Sequence, residues 1–402
     1  MKQLLVGLLA LSCLMAQAQD IPSLVAHYSF ENCDATDVSL NNSDGILFGN
    51  PTCECGIQGD ALAFDGVDDY AVLAGNVESY FDADIFTLSM YFRTTDNAGV
   101  HDVLSKRSNC NLDRAFAVRY APASRTLFVD IAESDSLSTT FMERLDPGLC
   151  WIHLVVVKDS RSHSIYVNGA FVASQPTFKT FDLTTMAPIQ IGNGPCIGST
   201  DRRFQGLVDE VKFFNEALSP GEISSLYLAP DRLITADTTI YQGSDAILRS
   251  GPTCAPTYSW VPAGQTSPSD ELTTTATPPN TQTFTMQYQY ESCTATDTAR
   301  ISVINPDDIE CGNVPLPNAF TPNGDGRNDL FFISNPFALE VLQAFEIFDR
   351  WGNLVFTTTD VRSAWDGLYR GNAANPGLYM YKIKYTCQGE DLIKSGSIML
   401  IR

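Results

Sequence analysis

The sequence predicts an all-β chain of three sandwich-like pieces behind a short leader, and three observations carry that reading. Phe284, Met286, Tyr288 and Tyr290 alternate with Thr285, Gln287 and Gln289, and Tyr379, Tyr381, Ile383 and Tyr385 alternate with Met380, Lys382 and Lys384. This period of two marks half-buried strands. Turn dipeptides recur along the chain, at Asp44-Gly45, Asp65-Gly66, Asn168-Gly169, Gly352-Asn353 and Asp366-Gly367; many short strands with such turns mean sandwiches or barrels. Only one segment has a helix signature. Ser219-Pro220-Gly221-Glu222 is a capping box with proline at the first helical position, followed by Ile223, Leu226 and Tyr227 on one face.

The elements follow in chain order. Residues 1–19 read as a secretory signal peptide: Lys2 is the positive start, 4–15 is apolar but short for a bilayer, and Ala16-Gln17-Ala18 is a small-x-small cleavage site. A lipoprotein reading at Cys13 is disfavoured, because cleavage there truncates the apolar stretch. No later run approaches the roughly 20 apolar residues of a transmembrane helix. The chain of 402 residues has 25 basic and 47 acidic side chains, a net charge of −22. That argues against nucleic acid, whose phosphates need clustered Lys and Arg, and against an anionic membrane face. Hydrophobic residues at 44% with 18% charged describe a globular chain.

Export implies an oxidising compartment, so the cysteines are read as disulfides. They fall as six (Cys33, Cys53, Cys55, Cys110, Cys150, Cys196), then Cys254 and Cys293, then Cys311 and Cys387. Each group is even, which fits bonds closing within domains: Cys254 with Cys293 and Cys311 with Cys387. The six allow 15 connectivities and stay unassigned. A zinc site is disfavoured because Cys53-Glu54-Cys55 spaces its cysteines too closely. Composition sets the boundaries at Ala229-Pro230-Asp231 and Asn305-Pro306-Asp307-Asp308, giving 20–230, 231–305 and 306–402.

In the first domain, His27-Tyr28-Ser29-Phe30, Asn42-Ser43-Asp44-Gly45 and the run from Ala61-Leu62-Ala63-Phe64 through Asp65-Gly66-Val67-Asp68-Asp69-Tyr70 stand out. With Trp151-Ile152-His153, Ile165-Tyr166-Val167-Asn168-Gly169 and Phe204-Gln205-Gly206-Leu207-Val208-Asp209-Glu210-Val211, the domain resembles the laminin-G-like, concanavalin-type jelly roll. The resemblance implies a two-sheet sandwich with a ligand face, often with structural calcium. It makes Asp68, Asp69 and Asp209 the candidate calcium ligands, since calcium takes carboxylate and carbonyl oxygens. The bland alternative is that they are solvated aspartates. Trp151, heading an apolar run, reads as core, and His153 as structural. Tyr80, Phe81, Tyr91 and Tyr120 are candidate sugar-stacking rings if exposed.

Enzymatic readings find little support. Retaining glycosidases of this architecture carry an E-x-D-x-x-E strand, and Glu133-Ser134-Asp135 stops short of it. No G-x-S-x-G is present.

The middle piece looks like an immunoglobulin-like or PKD-like spacer, with Cys254 and Cys293 on two strands and Trp260 between them. Trp260 is closer to Cys254 than antibody domains place it. The Thr-rich stretch 273–281 reads as a loop or edge.

The last domain carries Leu316-Pro317-Asn318-Ala319-Phe320-Thr321, then Pro322, Asn323, Gly324, Asp325, Gly326, Arg327, Asn328 and Asp329. Phe345-Glu346-Ile347-Phe348-Asp349-Arg350-Trp351-Gly352, Trp365-Asp366-Gly367 and Asn375-Pro376-Gly377-Leu378-Tyr379 follow. In this order the motifs closely resemble the gliding-motility-associated C-terminal domain, a type B sorting signal of the type IX secretion system. What the resemblance implies is recognition by the type IX machinery and export across the outer membrane of a Gram-negative bacterium. The 323–329 segment breaks the EF-hand pattern, so its Asn and Asp residues read as turn formers. The functional expectation is a surface binding protein or adhesin whose jelly roll takes a glycan or protein ligand. A structural surface component is the alternative, and a glycoside hydrolase the third reading.

Overall fold

The computed structural model describes residues 23–401 except 82, 306–313 and 323–327. The leader, Cys311 and the motif residues Asn323, Gly324, Asp325 and Gly326 lie outside the described residues. By compactness the described residues form two units, one within 1–232 together with 250–259 and 286–297, the other within 233–249, 260–285 and 298–402. The middle piece is therefore shared between the units.

The first unit holds two eight-stranded sheets. One runs in the order Ala170–Pro176, Ser162–Val167, Ile152–Lys158, Phe86–Thr94, Gln205–Phe214, Asp60–Asp65, Thr52–Cys55, with Leu24–Tyr28 also paired to Gln205–Phe214. The other runs Leu137–Arg144, Thr126–Ser134, Ala115–Ala121, His101–Lys106, Ile189–Ile191, Tyr70–Leu73, Gly45–Phe48. Alternate residues turn inward, and Leu88, Met90, Phe92, Phe116, Val118, Val129, Ile131, Leu154, Val156 and Val208 share one core.

Ile152–Lys158 is apolar on both faces because both are covered. Val155 and Val157 face away from the main core onto Tyr166, Phe214, Leu218 and Ile223. Ile223 comes from the helix Pro220–Ser225, whose capping box forms as the sequence indicates. Burying Leu218 and Ile223 there contributes roughly 1.5–3 kcal/mol each. The turn between Ser162–Val167 and Ala170–Pro176 places Asn168 at φ 51° and Gly169 at φ 75°, the left-handed pair that a two-residue hairpin demands.

The disulfides correct the sequence expectation. Cys33 bonds Cys53 and Cys110 bonds Cys196, but Cys254 bonds Cys55 and Cys293 bonds Cys150. Neither Cys254 nor Cys293 lies on a strand: the first precedes Thr257–Val261 and the second sits in the turn between Gln282–Gln289 and Thr294–Ile304. Both turns lie against the jelly roll and are stapled to it. Two bonds from one even group to another leave both groups even, so parity cannot distinguish the arrangements. Cys387 is disulfide-bonded.

The middle piece forms a four-stranded sheet (Thr238–Tyr241, Thr294–Ile304, Gln282–Gln289, Thr257–Val261) and a three-stranded one (Ala246–Arg249, Thr273–Ala276, Thr266–Ser267). Its Trp260 is fully buried and donates Nε1–H to the Glu271 carbonyl at 2.8 Å. The expected loop at 273–281 is in part the central strand of the smaller sheet, with Thr274 and Ala276 buried. Its β-branched threonines suit a pleated surface, and this outweighed the proline signal.

The second unit's main sheet has the order Ala319–Phe320, Glu390–Leu400, Gly377–Cys387, Val341–Phe348, Leu354–Thr358. Phe320, Phe331, Phe345, Trp365, Tyr379 and Ile383 fill its core. The last strand pairs with Gly377–Cys387 along its whole length. Among the described residues no helix is long and apolar enough to cross a membrane.

Candidate functional site

The outer face of the sheet running from Leu137–Arg144 to Gly45–Phe48 carries charged residues that are buried, Asp102 and Asp130 among them. Register places Thr140, Asp130, Ala117, Ser105, Gln190, Val72 and Ile46 in one row across seven strands. Met142, Phe128, Arg119 and Asp102 form the adjoining row. Phe116, Val118 and Tyr120 point into the core, so Ala117 and Arg119 must point out. The same alternation turns Phe128 and Asp130 out while Leu127, Val129 and Ile131 turn in.

Arg107 Nη2 donates to Asp102 Oδ2 at 2.7 Å and to Asp201 Oδ2 at 2.9 Å, and its Nε donates to Ser105 Oγ at 3.1 Å. Arg119 Nη2 donates to Asp130 Oδ2 at 2.7 Å, and Thr140 Oγ1 donates to the other oxygen of Asp130 at 2.8 Å. Arg119 Nη1 lies 3.5 Å from Asp201 Oδ1. Asp201 is delivered by a loop folded on the Cys196 carbonyl, and Cys110–Cys196 ties that loop to the segment after Arg107.

Burial raises the pKa of Asp102 to about 6 against the pull of Arg107. Burial also opposes the charge on Arg119, but Asp130, Asp201 and Asp102 outweigh it and hold its pKa above the usual arginine value. Asp102, Asp201 and Arg107 are almost wholly buried, whereas the Arg119 side chain is 21% exposed. Its guanidinium stacks on the Phe128 ring at 5.3 Å. The network thus fixes one accessible planar donor beside a ring, a hydroxyl and Met142, which is 67% exposed.

Two of the three expected calcium ligands come together. Asp68 and Asp69 join Asp65 in a group whose carboxylate oxygens lie within 4.8 Å of one another. An all-oxygen set of this kind suits calcium. Two of its members already have backbone work, however. Asp65 accepts from the Val67 N–H at 2.7 Å, and Asp69 accepts from Asn50 at 2.6 Å and from Asp65 at 3.1 Å.

Asp209 is not part of this group. It lies toward the other end of the Asp60–Asp65 strand and accepts from the Ile57 N–H at 2.6 Å and the Gln58 N–H at 3.4 Å. A buried carboxylate that clamps a loop this way looks like a metal ligand in sequence. Burial and the neighbouring Glu210 raise its pKa to about 8.

The four candidate rings do not form a platform either. Phe81, Tyr91 and Tyr120 are buried, and the half-buried Tyr80 hydroxyl accepts from Asn41 at 3.2 Å. Trp151 is buried as expected and lies 5.5 Å from the Arg93 guanidinium, which also sits 4.4 Å from the Tyr290 ring. In the second unit, Trp365 is core and donates to the Leu368 carbonyl at 2.9 Å, with Asp366 and Gly367 forming the turn beside it. Trp351 is exposed. Pro322, Asn328 and Asp329 flank the segment outside the described residues.

Two family models match stretches of this chain. The concanavalin A-like lectin/glucanases superfamily matches residues 65–224, and the CHU_C type IX secretion signal domain matches residues 314–400. The chain carries a laminin-G-like domain and a type IX sorting domain. Among curated proteins nothing matches. Among solved structures, domain 4 of AbnA, a GH43 extracellular arabinanase from Geobacillus stearothermophilus in complex with arabinotriose, is 21% identical over 51% of this chain and 98% of its own, with a TM-score of 0.41. The Ruminococcus gnavus IT-sialidase CBM40 bound to α2,3-sialyllactose is 14% identical over 46% of this chain and 95% of its own, at 0.35. The binding domain of botulinum neurotoxin serotype D/C is 13% identical over 94% and 78%, at 0.44. At such scores these likenesses bear on nothing the chain binds.

The laminin-G-like domain contains two pairs that mimic catalytic groups. Ser89 Oγ lies 2.8 Å from His153 Nε2, but both are buried, and His153 is stacked 4.3 Å from Tyr91 with no hydrogen-bond partner on Nδ1. Burial and Lys212 lower the His153 pKa to about 3, which suits a structural imidazole. Asp209 and Glu210 also differ in protonation. Burial opposes the Glu210 charge, but His27 and Lys212 hold its pKa below the usual value. Both carboxylates are buried, which leaves no space between them for a sugar.

The sequence reading missed Arg119, Asp130, Arg107, Asp102 and Asp201. One signal was available: Arg119 and Asp130 occupy outward positions of strands whose other outward residues are mostly small or apolar.

Proposed function

We propose that the protein is a surface or extracellular binding protein of a Gram-negative bacterium, exported by the type IX route, whose laminin-G-like domain binds glycan. The carrying observation is Arg119: a guanidinium fixed by Asp130, stacked on Phe128 and backed by a buried ionic network, with about a fifth of its side chain still exposed. Oxygen-rich ligands are recognised by a few pre-oriented donors beside an apolar surface, and arginine's planar fork is suited to paired oxygens. The sorting domain supplies export, and the middle piece supplies spacing. Asp65, Asp68 and Asp69 would hold a calcium ion as a structural element, which supplies no part of the ligand contact in this reading.

The test is a glycan array with the mature chain and Arg119 variants. Arg119→Ala is expected to weaken the selected glycans by roughly tenfold or more, the scale of a lost charge-assisted hydrogen bond. Arg119→Lys, which keeps the charge without the planar fork, is expected to fall between. Unchanged binding by a folded Arg119→Ala protein would remove the glycan site from this face. Binding to proteins but to no glycan would favour the adhesin reading, and binding to neither the structural one.

A further inference from the structure

We infer that the concavity around Trp351 is the face by which the sorting domain is recognised, and that it takes a carboxylate-bearing segment of the secretion machinery. The concavity has a volume of about 520 Å³ and is walled by Arg350, Trp351, Tyr369, Arg370, Asn375 and Tyr379. Three local elements meet in it: the turn at 349–353, the hairpin Leu368–Tyr369 with Asn372–Ala373, and the entry to Gly377–Cys387.

Trp351 is 74% exposed, although the same domain buries Trp365 completely enough to form its core. A large ring left in water at a concave site marks recognition more often than stability. Arg350 stacks on Trp351 at 5.4 Å and Arg370 on Tyr369 at 5.1 Å, so the rings hold two guanidiniums in place. Gly377 lies against the end of the Arg350 side chain. Its φ is 144°, and a Cβ on it would sit 2.5 Å from Arg350 Nη2.

The charge at this site favours an anionic partner. Among the described residues Asp349 is its only carboxylate, and that group is spent on the turn, accepting from the Trp351 N–H, the Asn353 N–H and Asn353 Nδ2 at 2.8–2.9 Å. Among the described residues neither Arg350 nor Arg370 has a carboxylate partner within ion-pair distance, so both guanidiniums keep their charge available. Residues 314–402 carry eight Lys and Arg against nine Asp and Glu, in a chain whose net charge is −22. The concavity is therefore a local positive site with two fixed forks and a ring. Its chemistry matches a carboxylate beside an apolar residue.

Export of the full chain in a bacterium with a type IX system tests this. The readout is the ratio of protein on the surface and in the medium to protein retained in the periplasm, alongside melting curves of the purified variants. Trp351→Ala and the pair Arg350→Glu with Arg370→Glu are each expected to lower that ratio roughly tenfold or more without moving the melting transition, while Arg350→Lys with Arg370→Lys keeps most of it. Glycan binding by all of these variants is expected to match the parent, which separates this result from the reading of the Arg119 face. Normal export of folded variants would overturn the inference. Loss with Trp351→Ala but normal export of the glutamate pair would overturn the carboxylate partner. Should Trp351→Ala melt early, the glutamate pair and Trp351→Phe decide the matter.

Discussion

Replacing Cys150 and Cys293 with serine is expected to destabilise the first unit by about 4–5 kcal/mol, the chain-entropy value for a closed loop of 100 residues or more. The bond spans 143 residues, so the open chain regains a large conformational freedom. The 286–297 segment should also come away from the jelly roll. Tyr290 would then leave the face of Arg93, a cation–π contact of 4.4 Å, and its hydroxyl would lose Asp231 at 2.9 Å. Arg93 is buried, so a guanidinium without its ring costs desolvation with less in return. Urea unfolding gives the stability change, and limited proteolysis with mass spectrometry shows the released segment. A variant that unfolds within about 1 kcal/mol of the parent and resists cleavage at 286–297 would contradict this arrangement.

The second large effect is at Asp209. Its carboxyl is protonated in the folded state up to about pH 8, whereas an unfolded aspartate titrates near 3.8. Below pH 4 both states are protonated and the group costs nothing. Between pH 4 and 8 the unfolded chain has released the proton and the folded chain keeps it, so stability falls as pH rises; above 8 the penalty is constant. Asp209→Asn removes the titration and is expected to flatten the decline of stability between pH 4 and 8. It keeps an acceptor for the Ile57 N–H but sets an amide donor against the Glu210 N–H, now bonded at 2.7 Å. Asp209→Ala leaves the Ile57 and Glu210 donors unpaired, and about 2–4 kcal/mol of stability should be lost across the range. Melting curves at pH 4.5 and 8 for the three proteins check both statements. An equally steep pH dependence in Asp209→Asn would show that another group carries it.

The all-β architecture was legible because strand alternation and turn chemistry are local. Phe284, Met286, Tyr288 and Tyr290 are all buried, and Ser219 to Glu222 caps the short helix as its residues require. The disulfides between the middle piece and the jelly roll were not legible. Cys254 and Cys293 form an even pair with Trp260 between them, and only the packing of their turns on the jelly roll sends them to Cys55 and Cys150.

The candidate site was legible in part for a related reason. Asp68 and Asp69 are neighbours in sequence, so their grouping with Asp65 was within reach. Arg119 meets Asp201 across 82 positions, and Arg107 meets it across a loop that the Cys110–Cys196 bond and the pairing of Arg202–Arg203 with His101–Asp102 hold against the sheet. Asp209 misled because a loop-clamping carboxylate and a metal-ligating one occupy the same kind of turn-flanking position.

The most direct measurement is a glycan-array screen of the purified mature chain, run with calcium and again with EDTA. The expected result is selective binding that survives EDTA, because the Arg119 face presents fixed side-chain donors and needs no ion. Selective binding lost in EDTA would move the site to the Asp65, Asp68 and Asp69 loop. Silence in both conditions from a folded sample would contradict glycan recognition by the laminin-G-like domain.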